Sequence, residues 1–323
     1  MKPLTWQCLT DEPDALGEPP FWHPSEHTLY WIDIPGRALR RANGFTGASE
    51  RWALPSEPGC VAPARGGGLV VALRDGLYRA PAWGGALERL QPAPYDTATT
   101  RFNDGRVDTE GRLWVGTIYE PRDRPEAALY CFAAGAGGSS HAVAGLRHMA
   151  GGATTGNGLA FSPDGRTLYW SDTPGHVIRA WDRDPATGAI SAPREFHRFP
   201  PKPAGWQAEV AADEQEAGAG ASTAYGGRPD GAAVDAEGHY WVAMFEGGRL
   251  LRLDPGGQVV GEWPLPVRCP TMPCFGGDDL RTLYLTTARA NRPESELART
   301  PLAGHVLFTR VDVPGLPVNF FID

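Results

Sequence analysis

Polar side chains interrupt the apolar pattern of this chain at four places, each shortly before a short apolar run. The segments are 16–20 (LGEPP), 101–105 (RFNDG), 155–158 (TGNG) and 228–231 (RPDG). Glu18, Asn157 and Asp230 would together offer two carboxylates and one amide carbonyl, a hard-oxygen set suited to a divalent cation. Asn-Gly and Asp-Gly are also common turn dipeptides, so the residues alone leave simple turns as the alternative.

The apolar runs that follow these segments indicate an all-β protein. Glycine (41 residues) and proline (31 residues) interrupt the chain too often for long helices. Each run is short, rich in β-branched and aromatic residues, and preceded by a turn of Gly, Asp, Pro or Ser. The runs are 28–34 (TLYWIDI), 69–73 (LVVAL), 113–118 (LWVGTI), 167–170 (TLYW), 240–244 (YWVAM) and 282–286 (TLYLT).

These turn-and-strand units resemble one another, which indicates a repeat. Their alignment places six residues in equivalent positions, at spacings of 39 to 71 residues: Trp31, Val70, Trp114, Trp170, Trp241 and Leu285. The shortest spacings match one four-stranded propeller blade of about 40–45 residues. The sequence therefore predicts a six-bladed β-propeller, with residues 1–323 as a single domain and the polar segments near one mouth of its central channel.

Two further features of the repeat have competing interpretations. Four aspartates recur at the same place in successive units, and we interpret them as turn caps that build the fold: Asp108, Asp164, Asp235 and Asp278. The longest spacing contains an insertion at about 200–227, rich in Ala, Gly, Pro and Glu. It is either a disordered surface insertion or a lid over one channel mouth, since it ends just before Asp230.

Charge and cysteine content restrict the partners and the compartment. Lys+Arg total 30 against 38 Asp+Glu, a net charge of −8, so nucleic acid and anionic membrane surfaces are poor partners. The five cysteines form no CxxC pair, and no apolar run is long enough to span a membrane. We expect a cytoplasmic protein, either a monomer or a small homo-oligomer.

Five segments, in order from about residue 15 to about 290, resemble the SMP-30/gluconolactonase/LRE family of regucalcin-like sugar lactonases. They are LGEPPFWHPSEHTLYWIDI, RFNDGRVDTEGRLWVGT, NGLAFSPDGRTLYWSD, PDGAAVDAEGHYWVA and CFGGDDLRTLYLTTAR. The resemblance implies a six-bladed propeller with one divalent metal in the central channel, hydrolysing aldonolactones. The family's metal-binding Glu, Asn and Asp fall on Glu18, Asn157 and Asp230. Its substrate-contacting Arg and Asn fall on Arg101 and Asn103.

The chain departs from the family pattern in three respects. Several relatives carry an acid after the GT of the third blade, where this chain has Glu120 followed by Pro121. Glu120 either fills that substrate-contacting role or lies one residue out of register. Gly156 stands where a Ser often precedes the Asn-Gly, and the 200–227 insertion is longer than the resemblance leads us to expect.

The predicted function is metal-dependent hydrolysis of a sugar lactone to the aldonic acid. The metal polarises the carbonyl, water attacks, and Asp230 is the candidate base, with Glu120 as the alternative base or a contact to sugar hydroxyls. The cation is one of Ca, Zn, Mg, Mn or Fe(II). Two alternatives use the same fold: another metal-dependent esterase or phosphotriesterase-like hydrolase, and a non-catalytic cation-binding or regulatory propeller.

Overall fold

The computed structural model describes residues 3–134, 145–207 and 225–323. Within these ranges the chain forms six antiparallel sheets of four strands each, which confirms the predicted six-bladed all-β propeller. The one-domain assignment over residues 1–323 stays a prediction. The predicted lid at 200–227 lies largely outside the described residues, because residues 208–224 are among those not described.

The strands follow one another in chain order, and a single short helix is described. The first strand is β1 (Gln7–Cys8), and blade 1 contains β2 (Gly17–His23), β3 (Thr28–Asp33), β4 (Ala38–Asn43) and β5 (Ser49–Ala53). Blade 2 contains β6 (Pro58–Pro63), β7 (Leu69–Leu73), β8 (Gly76–Ala80) and β9 (Glu88–Pro92), and blade 3 contains β10 (Thr100–Val107), β11 (Leu113–Tyr119), β12 (Ala127–Ala133) and β13 (Gly145–Ala153). Blade 4 contains β14 (Gly156–Phe161), β15 (Thr167–Asp172), β16 (Val177–Arg183) and β17 (Ile190–Arg198), and blade 5 contains β18 (Arg228–Val234), β19 (Tyr240–Phe245), β20 (Arg249–Leu253) and β21 (Val259–Pro264). Blade 6 contains β22 (Pro270–Gly276), β23 (Thr282–Thr287) and β24 (Leu307–Arg310), with helix α1 (Glu294–Arg299) before β24.

The blades form a closed ring around a central channel. The first strand of each blade packs against the first strands of its neighbours, in the order β2, β6, β10, β14, β18, β22 and back to β2. The N-terminal strand β1 pairs with β24 and supplies the fourth strand of blade 6, so the two ends of the chain join in one sheet. Closure covers the two blade faces that an open array of sheets would expose to solvent.

Burial decreases from the channel to the rim of each blade. All six residues of the innermost strand β14 are buried, whereas most residues of the outermost strand β17 are exposed. The predicted equivalent residues lie on the second strands, and Trp31, Trp114 and Trp170 are fully buried there. Each blade therefore stacks its large apolar side chains against its neighbours, and no blade has a complete core of its own.

Every innermost strand is irregular in its first half. The register shifts fall between Glu18 and Phe21, Pro58 and Cys60, Asn103 and Gly105, Asn157 and Ala160, Pro229 and Ala232, and Pro270 and Met272. A bulge adds a residue to one strand and re-aims the side chains beside it. The bulges therefore lie beside or at the candidate site residues, close to one mouth of the channel.

Three of the four recurring aspartates are turn caps, as predicted. Oδ1 of Asp108 accepts from the backbone N–H of Arg112 at 2.9 Å, and Oδ1 of Asp235 accepts from that of His239 at 3.0 Å. Asp164 accepts from its own turn at 3.0 Å. The assignment of Asp278 is wrong, because its neighbour Asp279 accepts the turn N–H at 3.1 Å.

The C-terminal segment covers the channel mouth opposite the candidate site. Asn319 donates to the backbone oxygen of Val107 at 3.1 Å, and the N–H of Phe321 donates to that of Pro63 at 2.8 Å. Val107 and Pro63 are the last residues of innermost strands, whereas the candidate site residues lie near the starts of such strands. The mouth at the candidate site is therefore the one that the C-terminal segment leaves uncovered. No helix in the described ranges has the length and apolarity to span a membrane.

Candidate active site

The starts of the innermost strands surround a cavity of about 270 Å³ at the open mouth. Glu18 of blade 1, Asn157 of blade 4 and Asp230 of blade 5 all line it, and so do Arg101 and Asn103 of blade 3. Residues that are distant in the chain are thus brought into one cavity by the ring. Of the residues that the sequence nominates, only Glu120 is not part of the cavity wall.

A continuous set of hydrogen bonds connects these side chains. Nδ2 of Asn157 donates to Oδ1 of Asp230 at 2.5 Å and to Oγ1 of Thr173 at 2.9 Å. Oδ1 of Asn157 accepts from Nδ2 of Asn103 at 2.6 Å, and the carboxyl group of Glu18 lies near enough to that of Asp230 for the two to repel each other. The two carboxyl groups and the amide are therefore direct neighbours, which simple surface turns would not require.

The cavity floor holds more negative charge than its own cations balance. Burial, followed by repulsion from Asp230 and Asp104, raises the pKa of Glu18 well above its ordinary range. Burial also raises the pKa of Asp230, and it raises that of Asp104 to about 6. Arg101 is the cation that offsets Glu18, and burial lowers its own pKa. An additional positive charge at this place would stabilise the ionised carboxylates.

These residues fit a divalent cation, with one condition. All of the donors are oxygens, and one oxygen of the fully buried Asp104 has no hydrogen-bond partner. Among the described residues no three His, Cys, Asp or Glu side chains form a metal-binding group, so the set depends on the amide of Asn157. That amide presents Nδ2 to Asp230, so ligation through Oδ1 requires rotation about its terminal torsion.

Arg101 connects the cavity to a chain of ion pairs that includes Glu120. Nη1 of Arg101 donates to Oδ1 of Asn103 at 2.9 Å, and its Nε lies 3.4 Å from Oε1 of Glu120. Arg74 holds Glu120 with two hydrogen bonds of 2.9 and 3.0 Å and also pairs with Glu57 at 3.0 Å. Glu120 thus lies at the rim, next to a predicted substrate-contacting arginine, with its carboxylate already paired.

The structure adds residues that sequence reasoning did not assign. Asp104 lies in the Asn-Asp-Gly run, and its Oδ2 accepts from the N–H of Leu159 at 2.8 Å, which joins blades 3 and 4. Thr173 follows a strand of blade 4 and donates to the backbone oxygen of Pro229 at 2.8 Å. The Asn-Asp-Gly run could have indicated Asp104, but no local pattern marks Thr173. Arg122, Arg228 and Arg292 also line the cavity.

A larger cleft of about 460 Å³ lies elsewhere, along blades 5 and 6. It is lined by Trp241, Trp263 and Val260 together with residues of the N-terminal segment. Its arginines are engaged: Arg252 pairs with Asp235 at 2.7 Å, and Arg310 pairs with Asp279 at 2.5 Å. The clustered carboxyl groups with raised pKa values lie in the smaller cavity, so that cavity is the candidate active site.

Comparison with known proteins agrees with the geometry. Residues 16–289 match the family model described as an SMP-30/Gluconolactonase/LRE-like region. The chain is 44% identical over 319 residues to a 6-deoxy-6-sulfogluconolactonase of Pseudomonas putida, and 32% identical over 328 residues to regucalcin of Danio rerio, with 98% of each chain covered in both cases. Among solved structures, a calcium-binding protein, regucalcin, of Agrobacterium tumefaciens superposes with a TM-score of 0.85 at 26% identity, covering 99% of this chain and 98% of that one.

Proposed function

Because this chain belongs to the SMP-30/gluconolactonase/LRE-like family and is a lactonase, we propose that it hydrolyses a sugar lactone with one divalent cation held by Glu18, Asn157 and Asp230. The observation that carries the proposal is the convergence of these three side chains, from three blades, in one cavity beside Arg101 and Asn103. The relative from Pseudomonas putida is named for an anionic six-carbon lactone. Six-carbon aldonolactones are therefore the first substrates to test.

In the proposed reaction the cation supplies Lewis-acid polarisation of the lactone carbonyl when it is bound. Asp230 accepts a proton from the attacking water, because its carboxyl group lines the cavity and is oriented by the hydrogen bond from Nδ2 of Asn157. If one oxygen of this carboxylate held the cation, its second oxygen would remain to take the proton. Glu120 is less suited to this role because Arg74 already holds both of its oxygens.

Arg101 and Asn103 orient the substrate in this proposal. The hydrogen bond from Arg101 to Oδ1 of Asn103 fixes both side chains on one strand of blade 3. The remaining N–H groups of Arg101 can hydrogen-bond sugar hydroxyls and the carboxylate that forms as the ring opens. Lactones react with water readily, so positioning of this kind contributes usefully to the rate.

Removal of the cation tests the proposal directly. We expect chelator-treated protein to release no acid from five- and six-carbon aldonolactones in a pH-indicator assay, and activity to return when a suitable single cation is added. Glu18→Ala and Asn157→Ala should need an excess of that cation, because each removes one ligand. The matched control is Asp182→Ala, since Asp182 is exposed on blade 4 and pairs with the exposed Arg194 at 2.7 Å.

Two outcomes of this assay would contradict the proposal in different ways. Full activity in the stripped protein would remove the cation from the mechanism and keep the lactonase. Acid release from none of the lactones, combined with tight cation binding, would instead favour a cation-binding propeller without this reaction.

The raised pKa values predict how the cation affects stability at different pH. The ordinary pKa of Asp230 is 3.8, and burial raises it to about 8 in the fold. Between these values the folded protein binds more protons than the unfolded chain, so without cation its stability falls as pH rises. A cation replaces those protons, and we expect saturating cation to raise Tm by about 5 °C more at pH 8 than at pH 5. Calorimetry checks this, and equal shifts at both pH values would contradict it.

A further inference from the structure

Arginines are concentrated in the wall of the candidate cavity, beside its acidic floor, although the chain as a whole is acidic. The net charge of the sequence is −8, yet four arginines line this one cavity. Arg101 is accounted for by its contacts with Asn103 and Glu120. The other three are Arg122, Arg228 and Arg292, and hydrolysis of a neutral lactone gives them no role.

Ion pairs within the cavity wall do not neutralise this charge. The carboxylate of Glu246 is buried and is shared by Lys202 at 2.7 Å, Arg292 at 3.1 Å and Arg228 at 3.2 Å. Of these three cations, Arg292 has a second carboxylate, that of Glu296, at 2.6 Å. The three cations carry more positive charge than the carboxylates of Glu246 and Glu296 carry negative charge. The blade 5 side of the mouth therefore stays positive.

Arg122 adds to this excess from blade 3. It is exposed in the turn between β11 and β12, and within the described ranges its guanidinium makes no hydrogen bond and no ion pair. The equivalent turns of blades 5 and 6 carry Glu246 and Asn291, which share its left-handed backbone conformation and also line the cavity. The repeated turn geometry thus directs the residue at this position toward the mouth.

Arg122 and Arg228 line the same cavity as the carboxyl group of Asp230. Nε of Arg228 is buried and has no hydrogen-bond partner. Two guanidinium groups therefore line the cavity from blades 3 and 5, and the hydrogen-bond donors of neither are all used by partners in the described part of the chain.

The depth of these residues separates them from the reacting end of a substrate. Arg228 is the first residue of β18, and Asp230 follows two residues later. Two residues of a strand span about 6–7 Å along the chain. Arg228 is therefore nearer to the mouth than the carboxyl groups of the floor. This offset is comparable to the distance from the carbonyl of a six-carbon lactone to a substituent at its far end.

We propose that Arg122 and Arg228 form a subsite for an anionic tetrahedral group, a sulfonate or a phosphate, at the end of the sugar lactone remote from its carbonyl. The inference rests on the proposed lactonase function and extends it to the class of substrate. Guanidinium groups suit such oxyanions because they offer paired, planar N–H donors that match two oxygens at once.

The experiment compares three six-carbon lactones that differ at one carbon. Glucono-lactone, 6-phosphogluconolactone and 6-deoxy-6-sulfogluconolactone are assayed with the cation-loaded wild-type protein and with Arg122→Gln, Arg228→Gln and Arg228→Lys. The control variant is Arg124→Gln, which alters an exposed arginine of the same turn that pairs with Glu126 at 2.8 Å and does not line the cavity. Binding of the open-chain products gluconate, 6-phosphogluconate and 6-sulfogluconate is measured by calorimetry, which needs no turnover.

We expect the wild type to favour an anionic lactone over glucono-lactone by at least about tenfold in kcat/KM. Arg122→Gln and Arg228→Gln should each reduce this preference by about 10–100-fold, mainly through KM, as expected for loss of a charged hydrogen bond. Arg228→Lys should reduce it less, and Arg124→Gln should leave it unchanged. The sulfonate and phosphate arms show which of the two anions the subsite accepts.

Each contrary result has its own meaning. Efficient hydrolysis of glucono-lactone with no preference for either anionic lactone, and no change in product binding in the variants, would overturn the subsite and leave the lactonase intact. Hydrolysis of none of the lactones by the cation-loaded protein would overturn the proposed function and the subsite together.

Discussion

Asp230→Asn should lower kcat on the preferred lactone by about 10³–10⁴-fold while the protein stays folded. The substitution removes the general base, a group that contributes typically about 10²–10⁴-fold, and also one of the charged ligands of the proposed cation. Asparagine has nearly the same shape, and its side-chain oxygen can still accept from Nδ2 of Asn157. Initial rates at saturating substrate and cation measure the loss.

The stability of this variant provides an internal control. Glu18, Asp104 and Asp230 repel one another in a buried site, so neutralising Asp230 should leave the cation-free protein at least as stable as the wild type. Asp182→Asn, on the exposed rim of blade 4, should change neither the rate nor Tm. A full rate in Asp230→Asn with excess cation would make Asp230 a ligand only, and Glu120→Gln would then be the next variant to test.

The ring could be predicted from the sequence because it is built from a local pattern that recurs. A turn followed by a short apolar strand appears in every blade, and Trp31, Trp114 and Trp170 occupy the same buried position on the second strand. In an antiparallel blade this position depends mainly on residues close in the chain. The count of blades, the fold class and most of the turn caps follow from the pattern alone.

The candidate site could be predicted only as a set of residue types. Spacing alone favoured simple turns for Glu18, Asn157 and Asp230, and the family resemblance gave these residues a role. Their direct contact depends on a bulge repeated in every innermost strand, and a bulge has no sequence signature as clear as an alternating strand has. Asp104 was overlooked because its burial depends on contact with blade 4, which is distant in sequence.

The arginines that line the cavity could not be predicted from the sequence, for a different reason. Arg122, Arg228 and Arg292 are unremarkable among the 30 Lys and Arg residues of the chain. Only the packing of blades 3, 5 and 6 around one channel brings them into a common wall. The grouping of these arginines therefore depends on tertiary placement, whereas the fold depends on repetition.

The largest expected effect on stability comes from Asp108, at the junction of blades 3 and 4. Its fully buried carboxylate accepts from Nε of Arg112 at 2.7 Å, from the indole N–H of Trp114 at 2.7 Å and from Nη2 of Arg183 at 2.6 Å. Arg183 is the last residue of β16 in blade 4, so the carboxylate of Asp108 links two neighbouring blades. Removing it would leave a buried cation and a buried indole N–H with fewer partners, which is costly in a low-dielectric interior.

We expect Asp108→Ala to lower the free energy of unfolding by about 3–5 kcal/mol, the usual result when one member of a buried ion pair is removed. Glu110 still contacts Arg112 and Arg183, which argues for the lower part of that range. Urea unfolding followed by tryptophan fluorescence measures the change, and the folded fraction should keep its kcat. Asp164→Ala is the matched control, because Asp164 caps the equivalent turn of blade 4 from an exposed position and should cost about 1 kcal/mol or less. Equal losses in the two variants would show that Asp108 acts as a turn cap alone, and that its bond to Arg183 adds nothing to the contact between the blades.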